Sequence, residues 1–115
     1  MPADCIFCKL VAEQIPGQKL FQDDLVTAFR DIHPVAPTHI LIVPNKHLES
    51  VNDVTAQDEP LMGRMLTVAR QLAEQEGVQR SGYRLIVNNG PHAMQHVLHL
   101  HLHLIGGQRM RYPMG

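Results

Sequence analysis

Residues 99–104 read His-Leu-His-Leu-His-Leu, and a strict two-residue alternation is the period of an extended strand. Successive side chains on a strand point to opposite faces. His99, His101 and His103 then share one face, spaced about 6.5–7 Å along the backbone. Leu98, Leu100, Leu102 and Leu104 share the other, which suits a core. The strand is expected to run from Val97 to Ile105 and to close at Gly106-Gly107. The chain has eight histidines, and four of them fall between Gln95 and Leu104. That concentration has three explanations: a polar sheet face that happens to be His-rich, a metal site built on neutral imidazoles, or catalysis by one imidazole that others orient. Strand geometry does not separate the last two.

The rest of the chain supplies partners for such a strand. Residues 4 to 14 open with Asp4 as an N-cap candidate and carry Ile6, Leu10 and Val11 at helical spacing, until Pro16-Gly17 stops them. Lys19–Gln22 and Leu25–Asp31 read as short strands around an Asp23-Asp24 turn. His33-Pro34-Val35-Ala36-Pro37 is a stiff loop, because two prolines exclude a central strand. His39–Val43 is an apolar run ended by Pro44, the pattern of a buried strand. Leu61, Met65, Val68, Ala69 and Leu72 mark one face of a helix that starts near Asp58-Glu59-Pro60 and stops at Gly77. Tyr83–Val87 is a further strand, and Asn88-Asn89-Gly90-Pro91 a turn. Several strands, one long helix, short connections and no internal repeat predict a single α+β domain over residues 1–115, with an antiparallel sheet.

Charge and cysteine usage narrow the function classes. Ten Lys and Arg balance eleven Asp and Glu, so there is no electrostatic footprint for duplex nucleic acid or an anionic membrane. The longest apolar runs are far shorter than the roughly 20 residues that span a bilayer. The first ten residues, MPADCIFCKL, lack a basic stretch followed by an apolar one, which predicts a cytoplasmic protein. Cys5 and Cys8 form a Cys-x-x-Cys pair, a pattern that points to metal or redox chemistry and not to a secreted disulfide framework. No phosphate-cradling glycine loop is present.

Four blocks, in order, resemble one known family. The run from Gln95 to Gly107 resembles the histidine-triad (HIT) signature, His-φ-His-φ-His-φ-φ with φ apolar. Asp4-Cys-Ile-Phe-Cys-Lys9 resembles the family's N-terminal motif. Ala28–His39, followed by Ile-Leu-Ile-Val-Pro-Asn-Lys-His47, resembles its central block. The ending Gln108–Gly115 resembles the tail of the Hint-like branch, the nucleoside phosphoramidases. The resemblance covers nearly the whole chain. It implies a HIT-like α+β fold with about five antiparallel strands, one long helix and a short N-terminal helix. It also implies hydrolysis of adenosine 5'-phosphoramidates or related AMP conjugates through a nucleotidyl-histidine intermediate, with AMP released.

By that resemblance His101 is the nucleophile, His103 and His39 support the phosphate and the nucleophile, and His99 orients the cluster. Imidazole titrates near about pH 6.5, so a neutral ring can attack while its neighbours hold phosphoryl oxygens. Asp31 matches a carboxylate on the ribose hydroxyls, and Asn88 a contact near the phosphate. Ile6, Phe7, Phe29, Ile32 and Leu41 match the adenine pocket; plain core is the competing reading for each. Three residues depart from the phosphoramidase branch: His96 stands where serine is frequent, Met94 where glycine is, and Tyr112 where tryptophan is. The first and third bear on the leaving group.

Two further expectations follow. A structural zinc, not required for catalysis, is expected on Cys5, Cys8, His47 and His96. Extended backbone back to residue 96 would turn His96 away from the triad, and family members similar in having the cysteine pair and this histidine bind zinc in that way. A homodimer is also expected, with the sheet continuing across the pair and Tyr112 reaching the partner's site. The competing functions are dinucleoside polyphosphate hydrolysis, nucleotide binding with little turnover, and metal binding by the whole imidazole strand.

Overall fold

The computed structural model describes residues 4–115. The chain forms α1 (Ile6–Val11), β1 (Lys19–Gln22), β2 (Val26–Arg30), β3 (Thr38–Pro44), α2 (Glu59–Gln75), β4 (Tyr83–Val87) and β5 (Leu102–Gly106). All neighbouring strands are antiparallel, in the order β1-β2-β3-β5-β4. The five-stranded sheet, the long helix and the short N-terminal helix agree with the sequence-based expectation. No helix among the described residues is long and apolar enough to cross a membrane.

Local chemistry explains each junction. The Asp23 carboxylate accepts from the Leu25 and Val26 amides, which fixes the β1–β2 turn. Asp31 does the same for the His33 amide after β2. Before α2, the Asp58 carboxylate accepts from the Thr55 amide and from Lys46 Nζ, and Pro60 occupies the first helical turn. The first helix is capped by the Cys5 thiol, which accepts from the Cys8 amide, and not by Asp4. Gly107 ends β5 at φ +90°, where a Cβ would lie 3.0 Å from Pro37.

The sheet has two apolar faces. On one, Val26, Ala28, Ile40, Ile42, Leu102 and Leu104 pack under the Leu61, Met65, Val68, Ala69 and Leu72 face of α2. On the other, Phe29, Leu41 and Val43 meet Phe7, Cys8 and Leu10 of α1. The central strand β3 is buried on both sides, which is why its sequence is almost uninterruptedly apolar. The second face is where the histidines lie. One row across it runs Phe29, Leu41, His103 and Ile86.

The last strand is shorter than expected. It begins at Leu102, and residues 97–101 lie outside the ladder. The two-residue alternation therefore does not extend back through His99. Leu100 and Leu102 reach the core as predicted, but Leu98 is 56% exposed.

The Arg30 guanidinium grips Glu76 at the end of α2 with two hydrogen bonds of 2.7 and 2.8 Å. This pair ties the helix to β2, and the guanidinium holds the Glu76 carboxyl below its ordinary range. Glu76→Gln is expected to destabilise the fold by about 1–2 kcal/mol at pH 7. A carboxylate with a lowered folded pKa contributes its stability above the unfolded value, near about 4.3. That contribution is lost as pH falls through the folded value. Urea titrations of the two proteins should therefore converge under acid conditions and differ at neutral pH.

Candidate functional site

Four donor atoms converge behind α1. Cys5 and Cys8 come from the cap and first turn of that helix, His47 from the segment after β3, and His99 from the segment before β5. All four ligand atoms lie within 4.8 Å of one another. His99 Nδ1 is 3.3 Å from Cys5 Sγ, 3.5 Å from Cys8 Sγ and 3.2 Å from His47 Nδ1. His47 Nδ1 is 3.3 Å from Cys8 Sγ. A tetrahedral zinc with ordinary Zn–S and Zn–N bonds separates its ligands by about 3.3–3.8 Å. The donor set and its spacing fit a metal ion.

Protonation supports the same reading. His99 Nε2 donates to the Pro44 carbonyl at 2.8 Å, and burial pushes this imidazole down to about 4. The neutral ring therefore carries its proton on Nε2 and turns a bare Nδ1 into the cluster. That lone pair, the His47 Nδ1 and the two thiol sulfurs point at one another, and a single cation could bind all four as ligands. Burial and the adjacent Cys5 push the Cys8 thiol up to about 11. A metal would reverse that preference by binding the thiolates.

This corrects the expected ligand set. His99 supplies the fourth donor, and His96 does not join the cluster. His96 is exposed, on the rim of an open recess of about 460 Å³ that is also lined by Asp4, Ile6, His47, Glu49 and Leu98. The expectation assumed extended backbone back to residue 96. The break in the ladder before Leu102 removes that parity. His99 is thus no free member of a row of three equivalent imidazoles.

The other histidines form a second group. His39 opens β3 and His103 lies in β5, with His39 Nε2 2.9 Å from His103 Nδ1. The Val35 amide donates to His39 Nδ1 at 3.1 Å. An amide can only donate, so neutral His39 carries its proton on Nε2 and gives it to His103 Nδ1. His103 is left with its proton on Nε2. Asp31 stands 3.3 Å from His39 Nε2. His101 donates from Nδ1 to the His99 carbonyl at 2.7 Å, which leaves Nε2 bare. Burial pushes His39, His101 and His103 all downward, His103 to about 4, against the opposing pull of Asp31. Neutral rings with assigned tautomers are the result.

Phe7 stands edge-on to His101, with ring centroids 5.2 Å apart, and against Phe29 at 5.3 Å. Phe7, Phe29 and Leu41 are buried beside the histidines, whereas Ile6 is half exposed and Ile32 is 79% exposed. Exposure rules out plain core for the two isoleucines, and the burial of Phe7, Phe29 and Leu41 suits a core and a pocket wall alike. Asn88 is half-buried after β4, and no hydrogen bond among the described residues joins its side chain to the histidines. The Tyr112 ring is exposed, and its carbonyl accepts from Arg84 of β4. Sequence reasoning missed the Pro44 carbonyl and the Val35 amide, backbone groups that set two imidazole tautomers. No residue pattern announces them.

Comparison with known proteins agrees with this fold. The chain is 55% identical over 108 residues to the purine nucleoside phosphoramidase of Escherichia coli K12, covering 94% of this chain and 91% of that one. A HIT family hydrolase from Legionella pneumophila superposes with a TM-score of 0.93 at 46% identity, over 97% of this chain and all of that one. A histidine triad protein from Clostridium difficile superposes at 0.94 and 38% identity, over 99% of both chains. The HIT domain model matches residues 12–110, which include both histidine groups except for the two cysteines. With the domain model matched over residues 12–110 and a relative 55% identical over nearly the full length, the chain belongs to the HIT domain family.

Proposed function

We propose that this enzyme is a purine nucleoside phosphoramidase: it cleaves adenosine 5'-phosphoramidates, or related AMP conjugates, through a nucleotidyl-histidine intermediate. The observation that carries the reading is the bare Nε2 of His101, whose other nitrogen is tied to the His99 carbonyl. A neutral imidazole with one nitrogen held and the other free is a nucleophile already oriented for attack. The relative at 55% identity bears the same activity in its name.

His101 Nε2 bonds to the α-phosphorus, and the P–N bond breaks with its electron pair going to nitrogen, which takes up a proton from solvent and leaves as the amine. Water then attacks the same phosphorus and gives a proton back to solvent, the P–Nε2 bond breaks with its electron pair returning to the ring, and AMP departs with His101 neutral again. His103 offers Nε2–H to a phosphoryl oxygen, and His39 holds it in that tautomer. Asp31 lies where it can accept a ribose hydroxyl while facing His39. Phe7, Phe29 and Leu41 form the packed wall of the adenine pocket, and Ile6 and Ile32 its open side. Asn88 is assigned to the phosphate end of the site and Tyr112 to the leaving group.

Cys5, Cys8, His47 and His99 would hold a zinc ion. When bound, it supplies structural cross-linking of α1 to the sheet, through ligands that leave no position for substrate. The function is tested by mixing the protein with adenosine 5'-phosphoramidate and measuring AMP. Steady AMP release is expected, and binding without release would leave a nucleotide-binding protein.

The homodimer is proposed through β4. It is an outer strand with one unpaired edge, it carries the partly exposed Leu85, and Arg84 holds the C-terminal tail against it. Sedimentation at micromolar concentration is expected to give the mass of two chains, and Leu85→Lys to shift it toward one. A monomeric wild type would refute the arrangement.

A further inference from the structure

We infer that Cys5 and Cys8 are a redox pair as well as metal ligands: a neutral hydroperoxide oxidises them to a disulfide, Cys5 reacting first, and the ion is expelled. The release of metal rests on the reading of the cluster as a metal site. The thiol chemistry rests on the placement of the pair alone.

The two sulfurs are close enough to join. Both cysteines are free. Cys5 caps α1, Cys8 lies in its first turn, and the Cys5 sulfur accepts from the Cys8 amide at 3.3 Å. Both sulfurs converge on one atom, His99 Nδ1, at 3.3 and 3.5 Å, and they lie within 4.8 Å of each other. Residues three apart on a helix hold their Cβ atoms about 5–6 Å apart, and a disulfide needs about 3.5–4.5 Å. Closure therefore draws the two residues together by about 1–2 Å. Cys5 has extended backbone, with φ −77° and ψ 115°, so the adjustment falls on the end of the helix and not on its interior.

The two sulfurs differ in access. The open recess of about 460 Å³ is lined by Cys5 and His47, while Cys8 and the fully buried His99 lie behind them. A reagent entering from solvent meets the Cys5 sulfur first. The carboxylates of Asp4 and Glu49 line the same recess, and no lysine or arginine is among the described residues that do. A cleft lined by one sign of charge repels ligands of that sign. Anionic oxidants such as glutathione disulfide are held off, and an uncharged hydroperoxide is not.

The step balances with the peroxide as the sole oxidant. When bound, the ion holds both sulfurs as thiolates. The Cys5 sulfur attacks one peroxide oxygen, the O–O bond breaks, and its electron pair leaves on hydroxide. Cys5 is then a sulfenic acid. The Cys8 sulfur attacks the Cys5 sulfur, the S–O bond breaks, and a second hydroxide leaves. Two thiolates have lost two electrons, and solvent protons turn both hydroxides into water. Only His47 and His99 are left as ligands, two donors short of a closed site. The new bond joins two residues of one helical turn, so it does not replace the lost link from α1 to the segments after β3 and before β5. A dithiol reductant reverses the change.

The test treats untagged, zinc-loaded, full-length protein with hydrogen peroxide. A chromophoric indicator follows zinc, and alkylation with peptide mapping follows the thiols. Zinc release is expected in step with loss of both thiols, with a bond between Cys5 and Cys8 in the mapped peptide. Dithiothreitol and fresh zinc should restore both. With a 1,3-diketone present to trap sulfenic acid, the adduct should sit on Cys5. Glutathione disulfide should react at least about tenfold more slowly than in Asp4→Asn/Glu49→Gln, whereas the peroxide rate should be the same in both proteins. Thiols that stay alkylatable with zinc retained would overturn the inference, and so would sulfinic or sulfonic acids without a disulfide. An adduct on Cys8 would overturn the order of attack, and a glutathione disulfide rate unchanged in the double variant would remove the recess as the route. Failure of the metal reading appears separately, as no zinc in the untreated protein, and the thiol measurements then decide the redox pair on their own.

Discussion

His101→Ala is expected to abolish AMP release, by at least about three orders of magnitude in kcat, or some 4 kcal/mol of transition-state stabilisation. The change deletes the atom that forms the covalent bond, so no neighbouring group makes up the loss. His103 is the nearest alternative, with its ring 5.0 Å away. Its Nδ1 is occupied by His39, and its Nε2 carries the proton, so it offers no lone pair. His39 is committed on both nitrogens, to the Val35 amide and to His103. The fold should survive, because the ring lies on the face opposite α2 and its own hydrogen bond is to one carbonyl. The cost is about 1 kcal/mol for that bond, plus some packing against Phe7. Calorimetry should show AMP binding close to that of the wild type, since Phe29, Leu41 and Asp31 are untouched. Acid-quenched mass spectrometry should find a nucleotidylated chain in the wild type and none in the variant. Full turnover in His101→Ala would move the nucleophile elsewhere.

Much of this site was legible because its chemistry is written in periodic positions. The His/Leu alternation placed His101 and His103 on one face and Leu100, Leu102 and Leu104 on the other, and the structure agrees for all five. The apolar run His39–Val43 declared a buried strand, and β3 is buried along its whole length. Failure came where periodicity was extended past its physical support. Parity assigned the fourth ligand to His96, but parity holds only while the ladder does, and pairing stops at Leu102. The adjacent Val97-Leu98 pair, which places apolar side chains on both faces, was the one local sign of that break. Leu98, expected in the core, is exposed as a result. The tautomers were not legible at all. They depend on the Pro44 and His99 carbonyls and the Val35 amide, groups common to every sequence, which acquire meaning only when the fold brings them to an imidazole nitrogen.

Metal removal should have the largest effect on stability. Atomic analysis of protein made without a histidine tag is expected to give near one zinc per chain, lost in Cys5→Ser, Cys8→Ser and His99→Ala. His101→Ala should retain it, because its ring turns to a carbonyl and not to the cluster. His96→Ala should retain it as well, and this variant separates the observed donor set from the one that strand parity suggested. An ion that binds only the folded chain stabilises it by about 4 kcal/mol when its concentration is a thousandfold above Kd. For a domain of this size, chelation should then lower Tm by on the order of 15 °C. The mechanism is cross-linking: Cys5 and Cys8 anchor α1, His47 follows β3 and His99 precedes β5. Without the ion, two buried thiols and two imidazoles face one another, and α1 is held to the sheet by the small cluster of Phe7, Cys8, Leu10 and Val11 on Phe29, Leu41 and Val43 and by the Gln22 side chain on the Val11 carbonyl. Hydrogen exchange should therefore quicken first in α1 and in residues 97–101, while the α2 face of the sheet, with its larger cluster, stays protected. Zinc lost with His96 but kept in His99→Ala would refute this donor set. A Tm that chelation does not move would refute its structural weight.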